Sequence, residues 1–186
     1  MIDRRTLAIH EAGHAVVGWR YAQLRGHRIV IGDGHAPVRP SGSLGFAEHT
    51  VTLPRGLRVR LELGNTVPAD LERARNVAVA MAAGVAAEWR LRGCKGRLRY
   101  EAGSTDLVVV TGLAEYLHRG DANCARAFVN YCEEIAKAQV IAGWWAIEAV
   151  ADELLVRGEL SFAEVRDVLG AAAQARVAAQ ARGTAG

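Results

Sequence analysis

The beginning of the chain carries apolar residues at helical spacing. From residue 6 to about residue 24 they recur at intervals of three and four positions, which predicts a helix with one apolar face. The residues that form this pattern are Leu7, Ala8, Ala12, Ala15, Val16 and Trp19. Gly13 and Gly18 weaken an isolated helix, so we expect packing against other elements to support it.

The pattern changes to strand-like alternation after this helix. Residues 28–31 alternate and are β-branched, which predicts a strand. Residues 44–53 predict one or two further short strands, and a loop follows over residues 54–64. Together these segments predict a hairpin or a three-stranded sheet.

The rest of the chain is predominantly helical in its patterning. Helices are predicted over residues 68–91, 104–118 and 123–156. Residues 77–87 are apolar nearly all round, so the first of these helices is predicted to be the buried central one. A capping box formed by Ser161 and Glu164 predicts the start of a last helix.

These elements predict a mainly α domain of the α+β class, with the first helix beside a small sheet and a helical bundle. Residues 1–170 are assigned to a single domain, and residues 171–186 to an Ala-rich tail in which the last helix frays. No internal repeat or second domain is evident in the sequence.

Composition and charge narrow the function classes. The net charge of +3 is too small to favour nucleic-acid binding, although Arg90, Arg92, Lys95, Arg97 and Arg99 crowd one segment. Three cysteines without a CxxC pair do not form a disulfide framework. The longest apolar run, residues 77–87, is too short to span a bilayer. We therefore expect a cytoplasmic protein.

Residues 10–14, His-Glu-Ala-Gly-His, are the strongest candidate for chemistry. His10 and His14 lie four residues apart and so occupy one helix face, where two imidazoles can bind one zinc ion. Glu11 lies beside them and can accept a proton from an activated water molecule. Because the HExxH pattern also arises by chance, two ordinary histidines on a helix are the competing interpretation.

A catalytic zinc site needs a third protein ligand. The longer HExxHxxGxxH pattern fails here, because Val17 and Arg20 replace its glycine and histidine. Glu48 and Glu62 are candidates by charge alone, whereas Asp106 is favoured because it begins a predicted helix. The competing role for Asp106 is simple stabilisation of that helix start.

Three segments in the same order resemble the peptidase domain of the FtsH family of ATP-dependent zinc metalloproteases. They are the helix around His-Glu-Ala-Gly-His, the segment Gly84-Val85-Ala86-Ala87-Glu88, and the segment Gly103-Ser104-Thr105-Asp106. The end of the chain, residues 151–161 and the short helix after them, is also similar to the family's last helices. The resemblance covers most of residues 6–170, but the chain contains no GxxxxGK[ST] loop and hence no ATPase module of its own.

The resemblance implies a role for several residues. His10, His14 and Asp106 would bind Zn²⁺, and Glu11 would be the catalytic base. Glu88 would be a buried acid beside a ligand histidine, and its competing role is a helix carboxylate paired with Arg90 or Arg92. The strand at Gly45 and Phe46 would be an edge strand that pairs with an extended substrate, and its competing role is a purely structural hairpin.

The predicted function is a zinc metalloendopeptidase that cleaves flexible or unfolded polypeptides. The resemblance also allows a ring-forming homo-oligomer and a separate ATPase partner. Two alternatives stay open: a narrow-specificity peptidase that cuts one regulatory partner, and a non-catalytic binding module in which zinc is a structural clamp. The intact Glu11 argues against the second alternative, since a structural zinc site does not need a base.

Overall fold

The computed structural model describes residues 3–21, 25–32, 45–50, 60, 67–100 and 104–183, with the backbone alone for residues 25–27 and 46–50. Five helices are described: α1 (Arg4–Arg20), α2 (Pro68–Leu91), α3 (Thr105–Leu117), α4 (Ala122–Arg157) and α5 (Phe162–Gly183). Three strands are described: β1 (Arg25–Ile31), β2 (Gly45–Thr50) and β3 (Glu159–Ser161). The mainly helical α+β class predicted from the sequence is confirmed.

Helix α2 forms the centre of the core, as its all-round apolar pattern predicted. Every residue from 77 to 87 except Met81 is buried. Helices α1, α3 and α4 all pack against α2, and α4 also packs along α1. Because alanine dominates these surfaces, the helix axes can approach closely, and this close packing sets the positions of the residues on α1.

The sheet is antiparallel, with strand order β2-β1-β3. Strand β1 pairs with β2 so that Ile31 faces Gly45, and it pairs with β3 so that Ile29 faces Leu160. In the described part of the chain β2 therefore lies at one edge of the sheet. Both Ile29 and Leu160 are fully buried, so the inner face of the sheet closes the core beside α1.

The sequence pattern left a hairpin or a three-stranded sheet open and allowed one or two strands within residues 44–53. The third strand of the described sheet is β3, which follows the long helix α4 directly. Gly158 ends α4 with a φ of 76°, and this left-handed turn redirects the chain onto β1. The pairing depends on contacts between residues more than 125 positions apart along the chain (Ile29 and Leu160), which a local pattern does not reveal.

Helix boundaries agree closely with the predictions where local capping determines them. Helix α2 has the predicted bounds, and Ser104 caps α3 by accepting a hydrogen bond from the N–H of Leu107 at 3.3 Å. The capping box is confirmed, because Glu164 Oε2 accepts a hydrogen bond from Ser161 N–H at 2.7 Å and Ser161 Oγ accepts one from Glu164 N–H at 3.3 Å. Helix α1 ends at Arg20, earlier than the predicted end near residue 24.

Candidate metal centre

The site forms where α1 crosses α2 at close range. A Cβ atom at Gly13 would lie 2.8 Å from the carbonyl oxygen of Ala83 and 2.8 Å from the Cβ atom of Ala87. Only glycine permits this separation, because any side chain would force the two helices apart. The close approach turns the face of α1 that carries His10 and His14 directly onto α2.

Three potential metal-binding atoms converge at this crossing. The Nε2 atoms of His10 and His14 lie 3.0 Å apart, and each is 3.2 Å from Oδ2 of Asp106. Asp106 reaches them from the first turn of α3. These separations approach the edge of about 3.3 Å that a tetrahedron with metal–ligand bonds of about 2.0–2.1 Å requires. We refer to His10, His14 and Asp106 as the donor cluster.

The far side of each imidazole is held by a hydrogen-bond acceptor. Nδ1 of His10 lies 2.6 Å from Oε1 of Glu88, and Nδ1 of His14 lies 2.8 Å from the carbonyl oxygen of Ala80. Neither an ionised carboxylate nor a carbonyl can donate, so each Nδ1 carries a proton, and each Nε2 is the atom that can offer a lone pair to an ion once it has lost its own proton. Two lone pairs and a carboxylate oxygen then face one another, an arrangement that a cation stabilises.

The charges around the two imidazoles favour a cation as well. Burial lowers the pKa of His10, but hydrogen bonds to Asp106 and Glu88 outweigh burial and raise this pKa to about 10. Burial also lowers the pKa of His14, but the charge of Asp106 and its hydrogen bond to His14 outweigh burial, so the pKa of His14 is raised. For Asp106, burial raises the pKa but the two histidines outweigh it, so the pKa is lowered. The donor cluster therefore attracts positive charge, whether protons or a metal ion.

Gly84 of α2 provides the space that an ion would need. A Cβ atom there would lie 2.5 Å from Nε2 of His14 and 2.7 Å from Nε2 of His10. These distances are only slightly longer than a zinc–nitrogen bond of about 2.0–2.1 Å. A side chain at Gly84 would thus occupy the volume in front of both imidazoles, and glycine leaves it open.

Glu11 lies between the donor cluster and the sheet. The residue is buried, with 5% of its surface exposed, and its charge acts on both histidines. A Cβ atom at Gly45, the first residue of β2, would lie 3.0 Å from Oε1 of Glu11. The first residue of the edge strand β2 therefore lies next to the carboxylate of Glu11, the base predicted from the sequence.

The structure brings together most of the residues that the sequence singled out. His10, His14 and Asp106 form one group that could hold a metal ion. Glu88 combines the two roles that were left open, because its Oε1 contacts His10 while its Oε2 pairs with Arg92 at 2.9 Å.

The other candidate positions are described only in part. Gly45 lies at the sheet edge beside Glu11, while Phe46 and Glu48 are described by their backbone alone. Glu62, the remaining candidate for the third ligand, lies outside the described residues.

Sequence reasoning missed two contributions, the carbonyl of Ala80 and the close approach at Gly84. The Ala80 carbonyl orients His14, but a backbone acceptor leaves no signal in residue identity. Gly84 was recognised only as part of a motif, although a glycine within a helix otherwise rich in alanine suggests a close approach.

No known protein family and no curated protein matches this sequence. Within the described residues, no helix is both long enough and apolar enough to cross a membrane. The geometry of the donor cluster and its surroundings is therefore the feature that indicates a function for this chain.

Proposed function

We propose that this chain is a zinc-dependent metalloendopeptidase that hydrolyses peptide bonds in flexible or unfolded polypeptides. The convergence of the three donor atoms, with Glu11 beside them, is the observation that carries the proposal. Two imidazoles and one carboxylate are a ligand set that suits a catalytic zinc, which keeps one position for water or substrate. The resemblance of the three segments to the FtsH peptidase domain supports the same conclusion.

Each residue has a chemical role in this mechanism. His10, His14 and Asp106 hold the ion, while Glu88 and the Ala80 carbonyl fix the orientation of the imidazoles. When bound, zinc would polarise the scissile carbonyl and lower the pKa of a coordinated water molecule. Glu11 accepts the proton of the attacking water and later donates it to the departing amine.

The position of β2 supports a polypeptide substrate. The strand lies at an edge of the described sheet and starts against Glu11. An extended peptide that pairs with this edge would place its main chain beside the base without requiring a particular side chain. Only a flexible or unfolded segment can adopt that extended form, so we propose flexible or unfolded polypeptides as the substrates.

The proposal is tested by comparing metal content with cleavage. Purified wild-type protein should contain about one zinc ion per chain and should cleave an unfolded casein-type substrate. Glu11→Gln should keep the zinc but lose cleavage by about 10²–10⁴-fold, because it removes the base. Asp106→Ala and His14→Ala should lose most of the zinc.

Glu115→Gln is a matched control, since it removes an exposed carboxylate from α3 and should change neither quantity. If wild-type protein binds zinc but is inert toward unfolded proteins and a peptide library, the structural-clamp alternative replaces the peptidase. If Asp106→Ala retains full zinc occupancy, Asp106 is not a ligand.

A further inference from the structure

The five basic residues at and after the end of α2 form what we call the basic segment: Arg90, Arg92, Lys95, Arg97 and Arg99. One of them, Arg92, is connected to the donor cluster through the carboxylate of Glu88. Nη1 of Arg92 lies 2.9 Å from Oε2 of Glu88, and Oε1 of the same carboxylate lies 2.6 Å from Nδ1 of His10. The two oxygens of Glu88 therefore have different partners, one on the metal side and one on the side of the basic segment. The other described ion pairs of α2 do not touch the donor cluster.

The Glu88 carboxylate needs such a second partner if it is to keep its orientation. The last torsion of a glutamate side chain is broad, so a single hydrogen bond leaves the carboxylate free to rotate. A guanidinium bound to the second oxygen restricts this rotation and keeps the first oxygen in line with Nδ1 of His10. Charge-assisted hydrogen bonds of this kind are also shorter and stronger than neutral ones.

The backbone around Arg92 is itself held in place. The N–H of Arg92 donates to the carbonyl of Glu88 at 3.0 Å, and Gly93 follows with a φ of 85°. The indole N–H of Trp89 donates to the carbonyl of Gly96 at 3.0 Å, which closes the turn after the helix. The end of α2 thus presents the Arg92 side chain from a fixed position rather than from a loose helix end.

An ordinary surface ion pair is the competing interpretation. Glu88 and Arg92 are four residues apart on one helix, and exposed pairs with that spacing contribute little to stability. The difference here is the environment of Glu88, whose side chain is only 22% exposed and contacts a proposed metal ligand. The two interpretations predict different effects on the metal, and only small effects on folding in either case.

We infer that Arg92 is a positioning residue of the metal centre, whose guanidinium holds Glu88 in the orientation that directs His10 at the ion. The inference rests on the metal centre of the proposed function, but not on peptidase activity. It also gives one member of the basic segment a specific role, whereas charge alone gave the segment none.

The test compares Arg92→Gln and Arg92→Lys with wild-type protein. Arg92→Gln is expected to weaken the zinc Kd, measured by chelator competition, by about tenfold, the lower end of the range for residues that orient metal ligands. The visible absorption bands of the Co²⁺-substituted protein should shift, and the NMR signal of the His10 Nδ1–H in metal-free protein should broaden. Arg92→Lys should recover at least part of each change, because a lysine can still donate to Oε2 of Glu88.

Arg75→Gln is the matched control. Arg75 forms an ion pair with Glu72 on the same helix, at 3.5 Å, and this pair lies away from the donor cluster. Its loss should leave the zinc Kd, the Co²⁺ spectrum and the His10 signal unchanged. An Arg92→Gln protein with wild-type values for all three measurements would overturn the inference.

These readouts separate the inference from the proposed function. A wild-type protein that binds zinc but cleaves nothing would refute the peptidase and leave the test of Arg92 intact. Conversely, an active peptidase whose zinc Kd and His10 signal do not respond to Arg92→Gln would refute the positioning role alone.

Discussion

Glycines beside the donor cluster and glycines on the outer helices have the same side chain but opposite surroundings. At Gly13, Gly45 and Gly84, an added Cβ atom would lie between 2.5 and 3.0 Å from a neighbouring atom. At Gly112 in α3 and Gly170 in α5, nothing lies within 4 Å of that position. Glycine is therefore a requirement of close packing around the cluster, whereas on the outer helices it is only a weak helix former.

The strongest test of this difference is Gly84→Ala. The new methyl group would occupy the space in front of both Nε2 atoms, so we expect the zinc Kd to weaken by more than about 100-fold, beyond the usual effect of altering a residue that merely orients a ligand. Chelator competition measures the change. Gly112→Ala should bind zinc like the wild type, and tight zinc binding by Gly84→Ala would show that the ion does not lie in front of the two imidazoles.

The pH dependence of zinc binding tests the electrostatics of the donor cluster, beside which the closely packed glycines lie. The raised pKa of His10, about 10 against 6.5 for an ordinary histidine, means that folded metal-free protein holds a proton that zinc must displace. The apparent Kd should therefore fall by about tenfold per pH unit between about pH 6.5 and 8.5. Calorimetry in two buffers of different ionisation enthalpy measures the released proton.

The same proton affects the stability of the metal-free protein. A raised pKa in the folded state contributes stability that is complete below the unfolded pKa of about 6.5 and is lost as pH rises through about 10. Unfolding of metal-free protein by urea should therefore become easier over that range. A zinc Kd that does not change with pH would contradict both expectations.

Gly13→Ala tests the packing of α1 against α2 and leaves the space in front of the two imidazoles unchanged. The methyl group would collide with the Ala83 carbonyl and with Ala87, and overpacking of this kind costs about 1–3 kcal/mol. The better helix propensity of alanine returns up to about 1 kcal/mol. With the full return, we expect a net loss of up to about 2 kcal/mol in the free energy of unfolding, measured in urea on metal-free protein.

Gly170→Ala is the corresponding control on an outer helix. It gains helix propensity without a collision, so it should be more stable than wild type by about 0.5–1 kcal/mol. Equal stabilities for Gly13→Ala and Gly170→Ala would mean that α1 and α2 are not in close contact at Gly13.

The smallest effect is expected at Glu164, in the capping box that begins α5. Hydrogen bonds from the hydroxyl and N–H of Ser161, together with the Arg157 guanidinium, lower the pKa of Glu164 to about 2. The stability that this carboxylate contributes is present above its ordinary pKa of 4.5 and is lost as pH falls toward 2. Glu164→Gln should slightly reduce the Tm at neutral pH and flatten its decline in acid. A change in zinc affinity would contradict the separation between this region and the donor cluster.

Local features of the fold could be predicted because their causes are local. The bounds of α2 follow from its proline start and apolar centre, and the capping box of α5 is a contact over three residues. The placement of His10 and His14 on one helix face was predicted for the same reason, since their spacing lies within about one helix turn. Asp106 was favoured because it begins a predicted helix, and the resemblance of three separated segments in a common order supported it as the third ligand.

Features that depend on tertiary packing could not be predicted from the pattern of apolar and polar residues. Strand β3 is short and pairs with a distant strand, so its three residues looked like a connection between helices. The role of Gly84 depends on the crossing of α1 and α2, and the contact of Ala80 with His14 depends on the same crossing. Neither crossing geometry nor a backbone acceptor can be recognised from residue type alone.

The central position of β1 has a consequence for synthesis on the ribosome. The helix with both histidines is made first, but Asp106 emerges about a hundred residues later. The strand that follows the histidine helix gains its second neighbour only once Leu160 has been added. The nascent chain therefore exposes both imidazoles well before Asp106 can join them, and the proposed ion could be enclosed only after α3 has emerged and packed against α2.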